Sequence, residues 1–161
     1  MTLSKFERML QLADEAFEYR SDPGQISVDE EQRERLEQIH PATLSEYNEG
    51  DGPIAWVMVI PTRAAIMQQF INHEITELQL LQLTQPGDDY DTIYLCSAMV
   101  LEEYRRKGIA MQLTLKAIAD IRKEHNMQTL FVWPFSEGGD SLSMLIAEQL
   151  GLPLLKRVDN K

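Results

Sequence analysis

The sequence feature that most constrains the fold is an apolar segment followed by a basic turn and an amphipathic helix. Residues 92–100 are almost continuously apolar, as is typical of a central strand covered on both faces of a sheet. Residues 108–125 carry apolar side chains at helical spacing, which predicts an amphipathic helix. A strand that leads directly into a helix in this way indicates an α/β fold.

The remainder of the second half continues the alternation of strand and helix. Residues 129–133 are predicted to form a strand. A turn at residues 138–139 then leads to a helix that Asp140 or Ser141 can cap. Residues 153–157 predict a last short strand, so this half of the chain has the order β-α-β-α-β.

The N-terminal part of the chain, residues 1–52, is predicted to be mainly helical. A capping-box pattern at Ser4 marks the start of a first helix, and the same pattern at Ser27 marks the start of a second. Thr43 and Glu46 are predicted to cap a short third turn.

The middle of the chain is predicted to hold one strand and one helical stretch. Residues 54–60 are apolar, β-branched and aromatic between two prolines, which predicts a buried strand. Residues 62–83 follow a helical pattern with a break near residues 72–73. No linker or repeat divides the sequence and its length is typical of one domain, so residues 1–161 are predicted to form a single domain.

The distribution of charge narrows the classes of partner. The chain holds 26 acidic and 15 basic side chains, a formal net charge of -11. All of the negative excess lies upstream of Arg105: residues 1–104 hold 20 acidic and 6 basic side chains, whereas residues 105–161 hold 6 and 9. A negative surface repels nucleic acid and anionic membranes, so neither is an expected partner. Only the basic final third would attract a small anion.

Cysteine content and hydropathy favour a soluble, cytoplasmic protein. Cys96 is the only cysteine, which excludes an intrachain disulfide and a zinc site built on cysteines and suits a reducing cytosol. Acidic residues interrupt any apolar stretch near the N-terminus, so no signal peptide is predicted. The longest uninterrupted apolar run, residues 54–60, is too short to span a bilayer, and no metal site is expected.

The basic turn after the central strand is the best candidate for a binding site. A helix N-terminus offers unpaired backbone N–H groups and the positive end of the helix dipole to an anion. Gly108 and Ala110 keep the first turn free of bulk, and Arg105, Arg106 and Lys107 add three positive charges. Spacing alone leaves two interpretations open, namely an anion site and an ordinary solvated turn.

The same turn resembles motif A of the GNAT-type acyl-CoA N-acyltransferases. That motif has Gln or Arg, then two residues, Gly, one residue, and Gly or Ala; it stands here as Arg105-x-x-Gly108-x-Ala110. Val100 lies five residues before Arg105, as the strand-end valine of that family usually does. A later helix ends in Gly151 followed by leucine, similar to the Gly-Phe of the family.

The resemblance covers roughly residues 91–157, the cofactor-binding core, and implies a fold. The family has an α/β domain with a mixed central sheet flanked by helices, to which this chain would add its helical N-terminal region. The family usually has a β-hairpin before the central strand. Because residues 62–83 follow a helical pattern here, we expect that the N-terminal sheet could be reduced.

The resemblance also implies how acyl-CoA would bind, with acetyl-CoA as the expected co-substrate. Its pyrophosphate would sit on the backbone amides of the basic turn, and its pantetheine would pair with the end of the central strand, where a bulge splays that strand from its neighbour. A backbone N–H there would polarise the thioester carbonyl, while a general base removes a proton from the attacking amine. The residues expected at this site are Met99, Val100, Leu101, Arg105, Arg106, Lys107, Gly108, Ile109, Ala110 and Met111.

The sequence departs from the family at three places. Many members have a tyrosine late in the last helix that protonates the leaving thiolate, whereas Ala147 stands here. Asp140 replaces a frequent asparagine, and Arg106 a frequent glycine. The catalytic residues must then come from elsewhere, and Tyr94 and Cys96 are the candidates because alternate residues of a strand point to one face. Ordinary core packing is the alternative for both.

These observations favour an N-acyltransferase that moves an acetyl group from acetyl-CoA to a primary amine. The acidic first two thirds of the chain favour a small cationic acceptor. One alternative is a GNAT-like module that binds acyl-CoA without transferring it and acts as a sensor or interaction module; another is a scaffold whose acidic N-terminal half docks a basic partner. Acyl-CoA and an amine are the expected partners, and the choice between monomer and homodimer stays open.

Overall fold

The computed structural model describes residues 3–20, 26, 30–134 and 136–158. Helices and strands alternate from the central strand onward, whereas they occur in consecutive pairs before it; the described residues also include two short 3₁₀ turns, Pro41–Thr43 and Glu102–Tyr104. The elements are α1 (Lys5–Arg20), α2 (Glu30–Ile39), β1 (Leu44–Glu49), β2 (Gly52–Thr62), α3 (Ala64–Ile71), α4 (Glu77–Leu83), β3 (Thr92–Val100), α5 (Ile109–Arg122), β4 (Thr129–Val132), α6 (Glu137–Leu150) and β5 (Leu154–Lys156).

The strands form one five-stranded mixed sheet in the order β1-β2-β3-β4-β5. The pairs β1–β2 and β2–β3 are antiparallel, whereas β3–β4 and β4–β5 are parallel. Parallel neighbours need a crossover connection, which α5 and α6 supply. The predicted α/β fold, with a mixed central sheet flanked by helices, is confirmed.

The central strand β3 has the bounds that its apolar run predicts, and its first five residues are buried. Its register with β2 shifts by one residue, because Val59 pairs with Leu95 and Met58 pairs with Ser97. Cys96 is therefore an extra residue on β3, as in a β-bulge. The ladder between β3 and β4 ends at Leu95, so the two strands separate at the bulge. This separation lies a few residues before the place that the family resemblance implies, near Met99, Val100 and Leu101.

The strand β1 has no counterpart among the elements predicted from the sequence. The sequence pattern predicts Thr43 and Glu46 as caps of a short helical turn, whereas Thr43 ends a 3₁₀ turn and Glu46 lies within the strand. The half of β1 that follows Glu46 is exposed and polar, so its strand conformation depends on pairing with β2 rather than on its own pattern. With β2 it forms a hairpin ahead of the central strand, and the sheet is not reduced to the strands of the second half.

One helical boundary lies where the sequence predicts it, and another does not. The stretch after β2 is broken near residues 72–73 as predicted, and His73 has a φ of 63° at the break. The helix α6, in contrast, begins earlier than Asp140. Its N-cap is Ser136, whose hydroxyl accepts the N–H of Gly139, so the glycine pair lies in the first helical turn rather than in a preceding turn.

The first helix packs on the sheet and is fixed at its N-terminus. The predicted capping box at Ser4 is present, with its hydroxyl accepting the N–H of Glu7 at 3.1 Å. Met9 is fully buried beside β2 and β3. The predicted cap at Ser27 lies outside the described residues. No helix that the structure describes is both long and apolar enough to cross a membrane.

Candidate functional site

A cleft of about 1050 Å³ opens where β3 and β4 separate. One wall is the part of β3 from Cys96 to Met99, and the opposite wall is the first turn of α6 with Gly138 and Gly139. A side chain added at Gly138 would meet nothing within 4 Å. The paired glycines therefore keep this wall bare and the cleft wide enough for a flexible ligand.

A smaller hollow of about 530 Å³ continues the cleft toward the basic turn. Ala98 and Met99 on β3 and Ser136 at the N-cap of α6 line both spaces. At its far end lie Val100 and Arg105. The two hollows together form a groove that follows the end of the central strand from its bulge to the start of α5.

The turn before α5 leaves the start of that helix without a side-chain cap. Gly108 is the N-cap of α5 with a φ of 77°, and no side chain caps the helix there. The carbonyl of Gly108 accepts the N–H of Gln112, which is the first bond of the helical ladder. The N–H groups of the preceding residues have no partner within the helix, so the positive end of the helix is available to an anion.

Three exposed basic side chains surround this helix start. The Nε of Arg105 donates to the carbonyl of Val100 at 2.9 Å, which ties the side chain to the end of β3. Lys107 lies over the ring of Tyr104 with its Nζ 5.6 Å from the centroid. Arg106 adopts a φ of 66°, a left-handed backbone conformation that favours glycine.

The predicted cofactor residues divide between the groove, the core and the exposed turn, which holds Arg106, Lys107 and Gly108. Met99, Val100, Arg105 and Ala110 line the groove or its continuation. Leu101 is buried with Met9 and Ile54, and its N–H is bonded to the carbonyl of Ile54 at 2.9 Å. The helical residues that flank Ala110 on either side are half-buried and pack against the core.

Tyr94 and Cys96 are both buried and both face the carboxylate of Glu77, the first residue of α4. The phenol of Tyr94 donates to Oε2 of Glu77 at 2.5 Å, and the thiol of Cys96 donates to the same oxygen at 3.7 Å. The backbone N–H of Ile26 donates to Oε1 at 2.9 Å. Glu77 and Cys96 line the cleft. The alternation of the strand correctly predicts that Tyr94 and Cys96 share a face.

Sequence reasoning missed Glu77. An acidic residue in the first turn of a helix is ordinary because it complements the helix dipole, and Thr76 and Gln79 form a capping box around it. Its burial, with only 1% of its surface exposed, results from contacts with the distant strand β3. No local pattern in the sequence indicates such a contact.

The other end of the cleft lies between α1, α2 and the β1–β2 hairpin. Trp56 donates its indole N–H to Glu46 at 2.8 Å, and the ring of Phe6 meets it edge-on with centroids 6.0 Å apart. Asp14 and Glu37 also line this end. Aromatic faces beside carboxylates suit an organic cation.

Two further groups bear on the site. Ala147 is buried in the core, whereas Ser143 and Ile146 of the same helix line the cleft.

In the turn before Arg105, the bidentate hydrogen bonds of Arg8 lower the pKa of Glu103 from 4.5 to about 2. Among the residues that the structure describes, no three acidic, histidine or cysteine side chains come together as metal ligands.

Comparison with protein families and curated proteins gives one match. The family described as Acetyltransferase (GNAT) family matches residues 6–144. The match begins in α1 and ends within α6, so it contains the bulged strand, the basic turn and most of the cleft. No curated protein matches the chain.

Proposed function

This chain belongs to the GNAT family of acetyltransferases, and from that membership we propose that it transfers an acetyl group from acetyl-CoA to a primary amine. The family supports acyl transfer from acyl-CoA in general. The observation that carries the finer proposal is the groove along the end of β3, which joins the uncapped start of α5 to the buried group around Cys96.

The groove suits the anionic and the extended parts of acyl-CoA. The pyrophosphate is proposed to bind the N–H groups at the start of α5, with Arg105, Arg106 and Lys107 supplying positive charge. The pantetheine arm is proposed to follow Met99 and Val100 along the groove. There it would replace the strand pairing that β3 loses when it separates from β4.

The reacting thioester is then proposed to lie at the bulge, near Cys96. A backbone N–H of β3 in this region would polarise its carbonyl, and an amine entering from the opposite end of the cleft would attack it directly. Of the two residues predicted to serve proton transfer, Cys96 lines the cleft at the point where the two ligands would meet, whereas Tyr94 is buried behind it.

The acceptor is proposed to be a small cationic amine. Carboxylates at the far end of the cleft, on Asp14, Glu37 and Glu46, would attract an ammonium group, and Trp56 and Phe6 would contact its carbon chain. Arg33 lies among them and reduces the net charge there without reversing it.

A second candidate function is binding of acyl-CoA without transfer. The observation behind it is Ala147, which stands where many family members carry the tyrosine that protonates the leaving thiolate. Ala147 cannot supply a proton. If no other residue in the cleft does so, the domain would act as a sensor or interaction module that responds to acyl-CoA.

Isothermal titration with acetyl-CoA tests the binding step. We expect micromolar binding, and a loss of about 10-fold or more in affinity in the double variant R105A/R106A because two charge-assisted contacts disappear. The matched control is R122A/K123A, which removes the same charge at the opposite end of α5. Absence of binding, or equal losses in the two double variants, would refute the proposed cofactor site.

Release of the CoA thiol against a panel of primary amines separates the two candidate functions. We expect the wild-type chain to release thiol with cationic amines at a rate above its rate in buffer alone. A chain that binds acetyl-CoA but releases no thiol with any amine of the panel would be the silent binder instead.

A further inference from the structure

The buried carboxylate of Glu77 is the most distinctive chemical group in the cleft. It enters from α4, on a helical connection between β2 and β3, outside the motif that carries the family resemblance. Both of its oxygens accept hydrogen bonds, Oε1 from Ile26 and Oε2 from Tyr94 and Cys96. A carboxylate buried to this extent is costly to desolvate. The first position of a helix would also accept an exposed acidic side chain, so the burial of Glu77 is not required by the helix itself.

The surroundings of Glu77 hold the carboxylate in one orientation. The ring of Tyr94 stacks on Phe131 and meets Phe70 edge-on, with both pairs of centroids 5.0 Å apart. Its phenol is thus fixed before it donates to Oε2, and the N–H of Ile26 fixes the other oxygen. A carboxylate oriented by packed neighbours is preorganised to exchange a proton with a group in the cleft.

We propose that Glu77 accepts the proton of the attacking amine and that Cys96 donates a proton to the departing CoA thiolate. This assignment rests on the proposed transferase function. It accounts for the absence of a tyrosine at Ala147, because the acid comes from the bulge of β3 instead of from the last helix. Tyr94 does not line the cleft, so it is a positioning residue that orients Glu77.

Glu77 and Cys96 together account for every proton that moves in this reaction. The neutral amine nitrogen forms a bond to the thioester carbon, and the proton of the resulting ammonium passes to Glu77. The bond between that carbon and sulfur then breaks, and the leaving thiolate takes the proton of Cys96. The protonated Glu77 returns a proton to the Cys96 thiolate across the 3.7 Å contact, so both side chains regain their starting state, with the amide and free CoA as products.

The variant E77Q tests the base, with the acetylation rate measured against amines of graded basicity. We expect kcat to fall about 100-fold or more with strongly basic amines, while the Kd for acetyl-CoA stays within 2-fold. With weakly basic amines such as hydrazine and methoxyamine we expect a much smaller loss, since their protons leave readily without a base. The matched control is E74Q, an exposed carboxylate three residues earlier, which should retain the full rate.

The variant C96S tests the acid and stands independently of E77Q should that substitution prevent folding. Serine fills almost the same space, so a packing role for Cys96 would survive the change. A hydroxyl is a far weaker acid than a thiol, so we expect kcat to fall at least 10-fold with unchanged acetyl-CoA affinity. Y94F should lower kcat less than E77Q, because it loosens the carboxylate without removing it.

The outcomes distinguish this inference from the proposed function. An active wild type whose E77Q and C96S variants keep its rate overturns the proton pair alone. An equal loss in E77Q for every amine indicates a structural role and also overturns it. A wild type that binds acetyl-CoA and acetylates no amine overturns the transferase function, and the role of Glu77 with it.

Discussion

Arg106 holds a backbone conformation that its side chain disfavours. Its φ is 66°, and among the described residues only His73 shares a positive φ without being glycine. The left-handed region brings the Cβ of an L-residue too close to its own backbone. This geometry explains why related proteins frequently have glycine at this place, and why the arginine here is notable: the chain accepts strain at the point where it adds a cation to the proposed pyrophosphate site.

The variant R106G should therefore be more stable and bind acetyl-CoA less tightly. Removing the strained Cβ should raise the free energy of unfolding by about 1 kcal/mol, whereas losing one charge should weaken binding several-fold. Urea unfolding and calorimetric titration measure the two effects. The control is R105G, where φ is -70°, so glycine only adds flexibility there and should destabilise the chain. Destabilisation of both variants would contradict the strain argument.

Individual side chains could be predicted from the sequence only where the relevant contact is local. That Tyr94 and Cys96 share a face follows from the two-residue period of a strand, and the start of α5 follows from Gly108. Glu77 meets Tyr94 across 17 residues of sequence. That contact depends on how α4 packs against the sheet, for which the sequence carries no periodic signal.

An ion pair attaches the helix α1 to the turn that precedes the proposed cofactor site. Arg8 on α1 and Glu103 in the 3₁₀ turn before Arg105 form two hydrogen bonds, and these lower the pKa of Glu103 to about 2. A carboxyl group whose pKa is depressed in the folded state stabilises that state above its unfolded pKa, and this contribution is lost as pH falls through the folded pKa. The attachment of α1 should thus weaken between pH 4.5 and about 2. Both partners are exposed, so the effect should be small.

Titration of the Glu103 carboxyl by NMR tests this attachment. In the wild-type chain we expect a midpoint near pH 2, and in the variant R8M a midpoint close to the ordinary value of 4.5. Amides of α1 should also exchange faster in R8M because the helix loses one anchor. The control is E148Q, which removes an exposed acid on α6 and should change neither measurement. An unshifted midpoint in R8M would contradict the assigned cause.

Elements were predictable where their own residues decide the conformation. The strand β3 is almost continuously apolar and the helix α5 has apolar residues at helical spacing, so the sequence indicates both. The strand β1 does not, because its outer half is exposed and polar and only the register with β2 makes it a strand. The helix α6 begins early because the hydroxyl of Ser136 caps it. The sequence does not indicate this start, because the pair of glycines in the first turn is typical of a loop.

At the scale of the whole molecule, both halves of the chain share one hydrophobic core. Buried residues from α2, such as Leu36, and from α6, such as Ile146, belong to the same cluster. This continuity supports the proposal that residues 1–161 act as a single domain. Both parts also contribute to the lining of one cleft, for example Glu37 and Glu46 from the acidic part and Ala110 and Ser143 from the last part.

This arrangement predicts opposite electrostatic requirements for the two substrates. The net charge of -14 on residues 1–104 should attract a cationic acceptor. Salt reduces the range of this attraction, because the Debye length falls from about 30 Å at an ionic strength of 0.01 M to about 8 Å at 0.15 M. For a cationic amine, kcat/KM should therefore fall several-fold as the ionic strength rises through this range. For methoxyamine, which is uncharged near pH 7, it should remain nearly constant.

The comparison of the two amines isolates the acceptor because acetyl-CoA is the same in both assays. Any effect of salt on the enzyme or on cofactor binding cancels in the ratio of the two kcat/KM values. Neutralising the far end of the cleft with E37Q/E46Q should flatten the salt dependence for the cationic amine. If this ratio does not change with salt, the acidic surface does not steer the acceptor, and its charge must be assigned to another partner.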